Sequence, residues 1–208
     1  MSETREQRRA AAERVSEVEA MLSAAAQESG AVIIGGSTPF PAPDGRVTNT
    51  CLVFDKSGQR IGRYDKIHLF DVSVSSSESY CESKHIAPGE TPLALSALGL
   101  MMGITICYDM RFPELYRQLA EAGAELFSVP SAFTVPTGQA HWHTLLRARA
   151  IENLAWVIAP AQVGEHPSGR RTFGHSLIID PWGEIVAERA SDPGVIFARL
   201  NRADAAQR

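Results

Sequence analysis

The sequence predicts a single globular domain of the α/β sandwich class, on three observations. Strand-like and helix-like segments alternate, but tight hairpins interrupt the alternation, which argues against a purely parallel doubly wound sheet. A chain of 208 residues is long enough for one domain with a substantial core, and it is read as a single domain over 1–208. Its composition, 44% apolar and 21% charged, is that of an ordinary soluble globular protein.

Taken in order, residues 2–28 read as a helix. Ser2 and Thr4 are N-cap types, Val15, Val18, Met21 and Leu22 recur at roughly helical spacing, and Gly30 is a suitable stop. The apolar run 31–37 reads as a strand covered on both faces, and PFPAPDGR as a turn. A second strand spans 47–55, a tight turn 56–59, and residues 60–70 continue extended. Residues 71–90 are Ser-rich and loop-like, and a loop of that length inside a compact domain is usually functional or disordered. Residues 93–107 read as two strands with a turn near Gly99. A helix over 111–124 has Pro113 in its first turn. A strand over 125–133, a helix over 141–155 and a strand from Trp156 follow. The chain closes with a hairpin over 175–190, turning at Pro181-Trp182-Gly183, and a last strand over 194–200.

Composition also excludes several classes. A net charge of −4 gives no reason to expect nucleic acid or an anionic membrane surface as partner. No apolar run is long enough to span a bilayer, and the charged N-terminus lacks the apolar stretch of a secretory signal. Cys51, Cys81 and Cys107 are too few and too scattered for a disulfide framework, so a reducing cytoplasm is expected.

The chemistry concentrates around Cys107. It ends the apolar run MMGITI and precedes a helix opened by Pro113. A strand-to-helix turn aims a side chain out of a sheet edge and leaves free backbone N–H groups, which can stabilise a thiolate and then an oxyanion. A small buried hydrophobe is the other reading of such a cysteine. Lys66, in GRYDKIHLFD, is either a charge guarding a strand edge or a fixed cation beside a thiolate. Glu82, in YCESKHIAPGE, taken alone reads as a loop glutamate.

Together these three stretches resemble the carbon–nitrogen hydrolases of the nitrilase superfamily. Further stretches agree: VPSAF at 129–133, AHWHTLLRARAIEN at 140–153 and GHSLIIDPWGEIVAE at 174–188. The resemblance runs from roughly residue 20 to residue 203, and CYDMRFPEL is its most specific part. The combination is most similar to the deaminated-glutathione amidase and ω-amidase branch. The resemblance implies a four-layer αββα sandwich without cofactor. It implies Cys107 as nucleophile and Lys66, with the Tyr108 backbone N–H, as stabiliser of the tetrahedral intermediate. Glu82 would be the assisting glutamate, and the acyl group would pass through a thioester that water then hydrolyses. Deaminated glutathione or a short α-keto acid monoamide would be the substrate. Amidase, carbamoylase and nitrilase chemistry share these three residues, and a non-catalytic binding member is a further alternative. Family members commonly form homo-oligomers.

One departure stands out. The family's triad glutamate lies in a Leu-Pro-Glu segment at a strand end, and Glu3, Glu6, Glu13, Glu17, Glu19 and Glu28 lie in or beside a polar helix instead. The expectation is an N-terminally incomplete domain, through truncation or true loss. Little or no amidase activity and poor solubility would follow for the chain alone, since a general base typically contributes about 10²–10⁴-fold.

Arg111 could clamp a substrate carboxylate, or pair with Glu114 or Asp109. Phe133 and Thr137 match pocket positions of relatives, or pack a loop. His141 and His143 are not read as a metal pair, because no third ligand is spaced to join them. Glu152 reads as a helical partner of Arg147 or Arg149. No metal, nucleic acid or membrane is expected, only a small amide.

Overall fold

A computed structural model describes Ala10 and residues 13–73, 79–167 and 169–201. The predicted caps Ser2 and Thr4, together with Glu3 and Glu6, lie outside these residues. Helix α1 spans Val15–Ser29 and ends as expected on Gly30, whose φ of 63° suits a residue without Cβ. Strands β1 (Ile33–Pro41), β2 (Val47–Phe54) and β3 (Arg60–Asp65) form one antiparallel sheet in that order. β1 takes in the first three of the residues read as a turn, and the turn itself follows at 42–46. β1 can do so because it is an edge strand, where proline removes no needed ladder bond, and a register shift at Gly35/Thr38 absorbs the irregularity.

Strands β4 (Asp71–Ser73) and β5 (Ser79–Cys81) pair as a small hairpin within the segment read as a loop, and Glu82–Lys84 follow as a single 3₁₀ turn. Strands β6 (Leu93–Ala97) and β7 (Leu100–Ile104) form the predicted hairpin at Gly99. After β7, a 3₁₀ turn over Cys107–Arg111 leads into α2 (Pro113–Glu121), with proline at its start. β8 (Leu126–Ser128) is shorter than expected. Helix α3 (Val135–Asn153) begins well before the predicted 141, because the Thr134 side chain caps the Thr137 N–H and proline sits in the first turn. β9 (Trp156–Ala159), β10 (Val163–Glu165), β11 (Arg171–Phe173), β12 (Ser176–Ile179) and β13 (Ile185–Arg189) complete the strands. A second sheet runs β13-β12-β9-β8-β7-β6, with parallel pairing at β7–β8 and β8–β9 and antiparallel pairing elsewhere.

Three apolar layers hold the stack. Ala26 of α1 packs with Phe40, Leu52 and Phe54 beneath the first sheet. Cys51, Val53 and Tyr64 meet Met102, Ile104, Leu126, Trp156 and Ile178 between the sheets. Leu115, Tyr116, Trp142 and Leu146 of α2 and α3 cover the far face of the second sheet with Phe127 and Val157. The order is therefore helix, sheet, sheet, helices, the αββα arrangement. Residues 194–200 form no strand. Their alternation survives: Ile196, Ala198 and Leu200 pack on the inter-sheet core, while Val195 and Phe197 are exposed. Among the described residues, no helix is long and apolar enough to cross a membrane.

Candidate active site

Cys107 sits where β7 gives way to the 3₁₀ turn, and its φ of 51° places a residue with a side chain in the left-handed region. Its N–H donates to Pro130 O at 3.0 Å, fixing the turn against the segment after β8. The turn is built on Asp109, whose side chain is fully buried. Its carboxylate accepts from the Tyr64 hydroxyl at 2.7 Å, Ile106 N–H at 2.8 Å and His68 N–H at 3.0 Å, with His68 Nδ1 at 2.8 Å. Burial first, then the Asp109 charge, pushes the Tyr64 hydroxyl above its ordinary range, so it remains a donor. His68 stacks on Phe112 at 3.6 Å, which clamps the turn from outside.

Lys66 follows β3 directly. Its N–H donates to Asn49 O at 2.9 Å and its carbonyl accepts from Gly89 N–H at 2.8 Å. Only glycine fits at 89, because a Cβ there would stand 2.0 Å from Asp65 O. The lysine side chain is 3% exposed, so its charge needs a close partner. Glu82 is that partner: its Oε2 lies 2.6 Å from Lys66 Nζ and also accepts Phe70 N–H at 2.7 Å. The β4–β5 hairpin thus returns the chain so that residues 16 apart meet.

Cys107, Lys66, Glu82, Tyr108, Phe133 and Thr137 all line one cavity of about 870 Å³. Arg111 is not among its lining residues. Its Nη2 lies 3.1 Å from His141 Nδ1, and its guanidinium sits 5.7 Å from the Tyr108 ring centroid and 5.8 Å from that of Phe133. It stands one ring behind the wall, paired with neither Glu114 nor Asp109. Glu152 pairs with Arg149 rather than Arg147. Two further residues escape sequence reasoning. Asp109 carried a weak signal, an acid in the turn after the cysteine. Arg170 carried none, one arginine of a doublet in a polar loop. Its guanidinium lines the cavity, donates to Ala132 O, lies over Tyr80, and keeps a buried Nε with no partner among the described residues. Among the described lining residues, Glu82 is the carboxylate.

A thiol at a strained turn, beside a buried ammonium–carboxylate pair in one cavity, suits nucleophilic attack on a carbonyl. The sequence profile of the carbon-nitrogen hydrolases matches residues 2–208.

The chain belongs to the carbon–nitrogen hydrolase family.

Family membership makes it, as a class, an amide-hydrolysing enzyme. The carbon–nitrogen hydrolase fold recurs among solved structures. Saccharomyces cerevisiae Nit3, described as a member of branch 10 of the nitrilase superfamily, superposes with a TM-score of 0.83 at 33% identity, over 92% of this chain and 67% of that one. A mutant of the amidase from Nesterenkonia, which shows acrylamide added at its active-site cysteine, superposes with a TM-score of 0.79 at 28% identity, over 95% of this chain and 76% of that one. In sequence, a deaminated glutathione amidase of Synechocystis is 46% identical over 187 residues, 88% of this chain and 69% of that protein.

Proposed function

We propose that this protein hydrolyses the amide of a small, carboxylate-bearing substrate through a thioester on Cys107. The observation that carries the reading is the convergence of Cys107 with the Lys66–Glu82 pair on one cavity. Cys107 Sγ adds to the amide carbonyl. Lys66 and the Tyr108 N–H, in the first turn where backbone donors lack an intrahelical acceptor, stabilise the oxyanion. Collapse breaks the C–N bond and releases ammonia, and water then cleaves the thioester to free the acid and the thiol. Glu82 orients Lys66 and the substrate.

Arg170 at the wall and Arg111 behind it suit a carboxylate-bearing substrate. The name of the Synechocystis relative favours deaminated glutathione, with short α-keto acid monoamides next. A reducing cytoplasm, in keeping with free cysteines at 51, 81 and 107, and a homo-oligomeric state complete the proposal.

The test is a screen of the purified protein with deaminated glutathione, α-ketoglutaramate, an N-carbamoyl amino acid and a nitrile. Ammonia release from the first two is expected to be slow, because Glu82 is the lone carboxylate among the described lining residues, and to be abolished in Cys107→Ala. Turnover that survives Cys107→Ala would sink the reading. A second reading, ligand binding without turnover, rests on the lack of another carboxylate among the described lining residues to act as general base, since Glu82 Oε2 is taken up by Lys66 and Phe70 N–H. Calorimetric binding of α-ketoglutaramate without ammonia release would select it.

A further inference from the structure

The paired histidines of α3 part company in the fold. His141 turns to Arg111, whereas His143 turns to the far end of the second sheet. There His143 Nε2 lies 3.0 Å from Glu188 Oε1, and the same oxygen lies 2.5 Å from His175 Nδ1. The three atoms all fall within 4.8 Å of one another. Three elements deliver them: α3, the residue before β12, and β13.

The arrangement is held in place before any ligand arrives. The His175 ring stacks on Phe173 at 4.2 Å, and the His143 ring meets His175 edge-on at 5.1 Å. The His175 N–H donates to Ala190 O at 2.9 Å, and its carbonyl accepts Trp142 Nε1–H at 2.8 Å. Phe173 in turn lies against α3 so closely that a Cβ on Gly138 would come within 2.2 Å of its ring. The side chains stay 27–35% exposed, so an ion has a path in and room for water.

We propose that His143 Nε2, His175 Nδ1 and Glu188 Oε1 form a binding site for zinc, with water in the fourth position. Two imidazoles and a carboxylate are a donor set for zinc and its first-row neighbours, whereas magnesium and calcium favour oxygen alone. Ligands of a tetrahedral zinc ion at about 2.1 Å stand about 3.4 Å apart, so the spacings of 3.0 and 2.5 Å from the Glu188 oxygen need to open by less than about an ångström, and the two nitrogens, within 4.8 Å, need shift by no more than about 1.4 Å. None of the three residues lines the catalytic cavity, so the ion ties α3 to the β12–β13 hairpin rather than acting on substrate. His175 precedes Ser176, which does line the cavity, so the tie also steadies that wall.

The test is titration of the purified protein with zinc by calorimetry and with cobalt by visible absorption. One equivalent is expected to bind, with a higher melting temperature and cobalt bands that lack a thiolate charge-transfer feature. His143→Gln and Glu188→Gln should each weaken binding at least about tenfold, a loss in keeping with removal of groups that support a metal. His141→Gln should leave affinity unchanged. Circular dichroism without metal checks each fold, and the partly exposed helix position 143 carries the test should Glu188→Gln unfold. Absence of binding at micromolar zinc would overturn the proposal, as would unchanged affinity in a folded His143→Gln. A thiolate band removed by Cys81→Ser or Cys107→Ser would also overturn it.

Discussion

Cys51 and Cys107 both touch the apolar layer between the two sheets, yet they occupy opposite chemical situations. Cys51 lies inside β2, wholly buried and in register with Tyr64 of β3. Burial pushes its thiol up to about 12. Cys107 lies past the end of β7 in a left-handed conformation, facing a cavity that holds a lysine and a glutamate. The residue type and the core are shared, so the difference comes from the backbone. A strand interior hides a thiol, and a strand end braced by Asp109 presents one.

The largest effect expected from breaking this comparison is on turnover. Cys107→Ala should lower kcat/KM by about 10⁴-fold or more, the scale for losing a nucleophile that acts with its partners as a unit. Cys51→Ala should leave kcat/KM within about threefold, since no proton or bond in the reaction passes through it. Equal losses in the two variants would erase the distinction.

The next effect is on the brace. Asp109→Ala removes a buried carboxylate and strands the donors of Tyr64, Ile106 and His68. Breaking such a set should cost about 3 kcal/mol or more of stability, read from urea unfolding. Iodoacetamide should then label Cys107 more slowly than in the parent. A variant that kept both parental stability and parental labelling would mean that the turn holds itself.

The smallest effect concerns Cys51 alone. Its thiol stays protonated in the fold but ionises from 9.0 upward once unfolded. Above about pH 9 the unfolded chain has released a proton that the folded chain keeps, so stability falls with rising pH until about 12. At about pH 10 the loss is about 1.4 kcal/mol relative to pH 8. Cys51→Ala should remove that part of the slope. An identical pH dependence in the two proteins would mean that the Cys51 thiol is not held in its neutral form.

Much of this was legible because it is local. The hairpin at Gly99, the stop at Gly30 and the strand-turn-helix at Cys107 are written in neighbouring residues. The early start of α3 is also local, since Thr134 is an N-cap type with a proline two residues on. Residues 194–200 show the limit of local pattern. Apolar residues alternate there, but alternation specifies which side faces the core and not whether a ladder partner exists. The site itself depends on contacts that no window covers. Lys66 reaches Glu82 only because a small hairpin intervenes, and His143 finds Glu188 45 residues away across a sheet. Arg170 needed a cavity before its charge had meaning.

The Asp109 brace also has a kinetic side. Its bonds to Tyr64 and His68 span 45 and 41 residues, so they close long loops rather than local turns. Such contacts form late, because chain entropy opposes them until other packing has brought the ends together. The Cys107 turn therefore reaches its final shape only once the two sheets have docked. A partly folded chain carries the thiol but not the geometry, and reactivity at Cys107 becomes a reporter of completed folding.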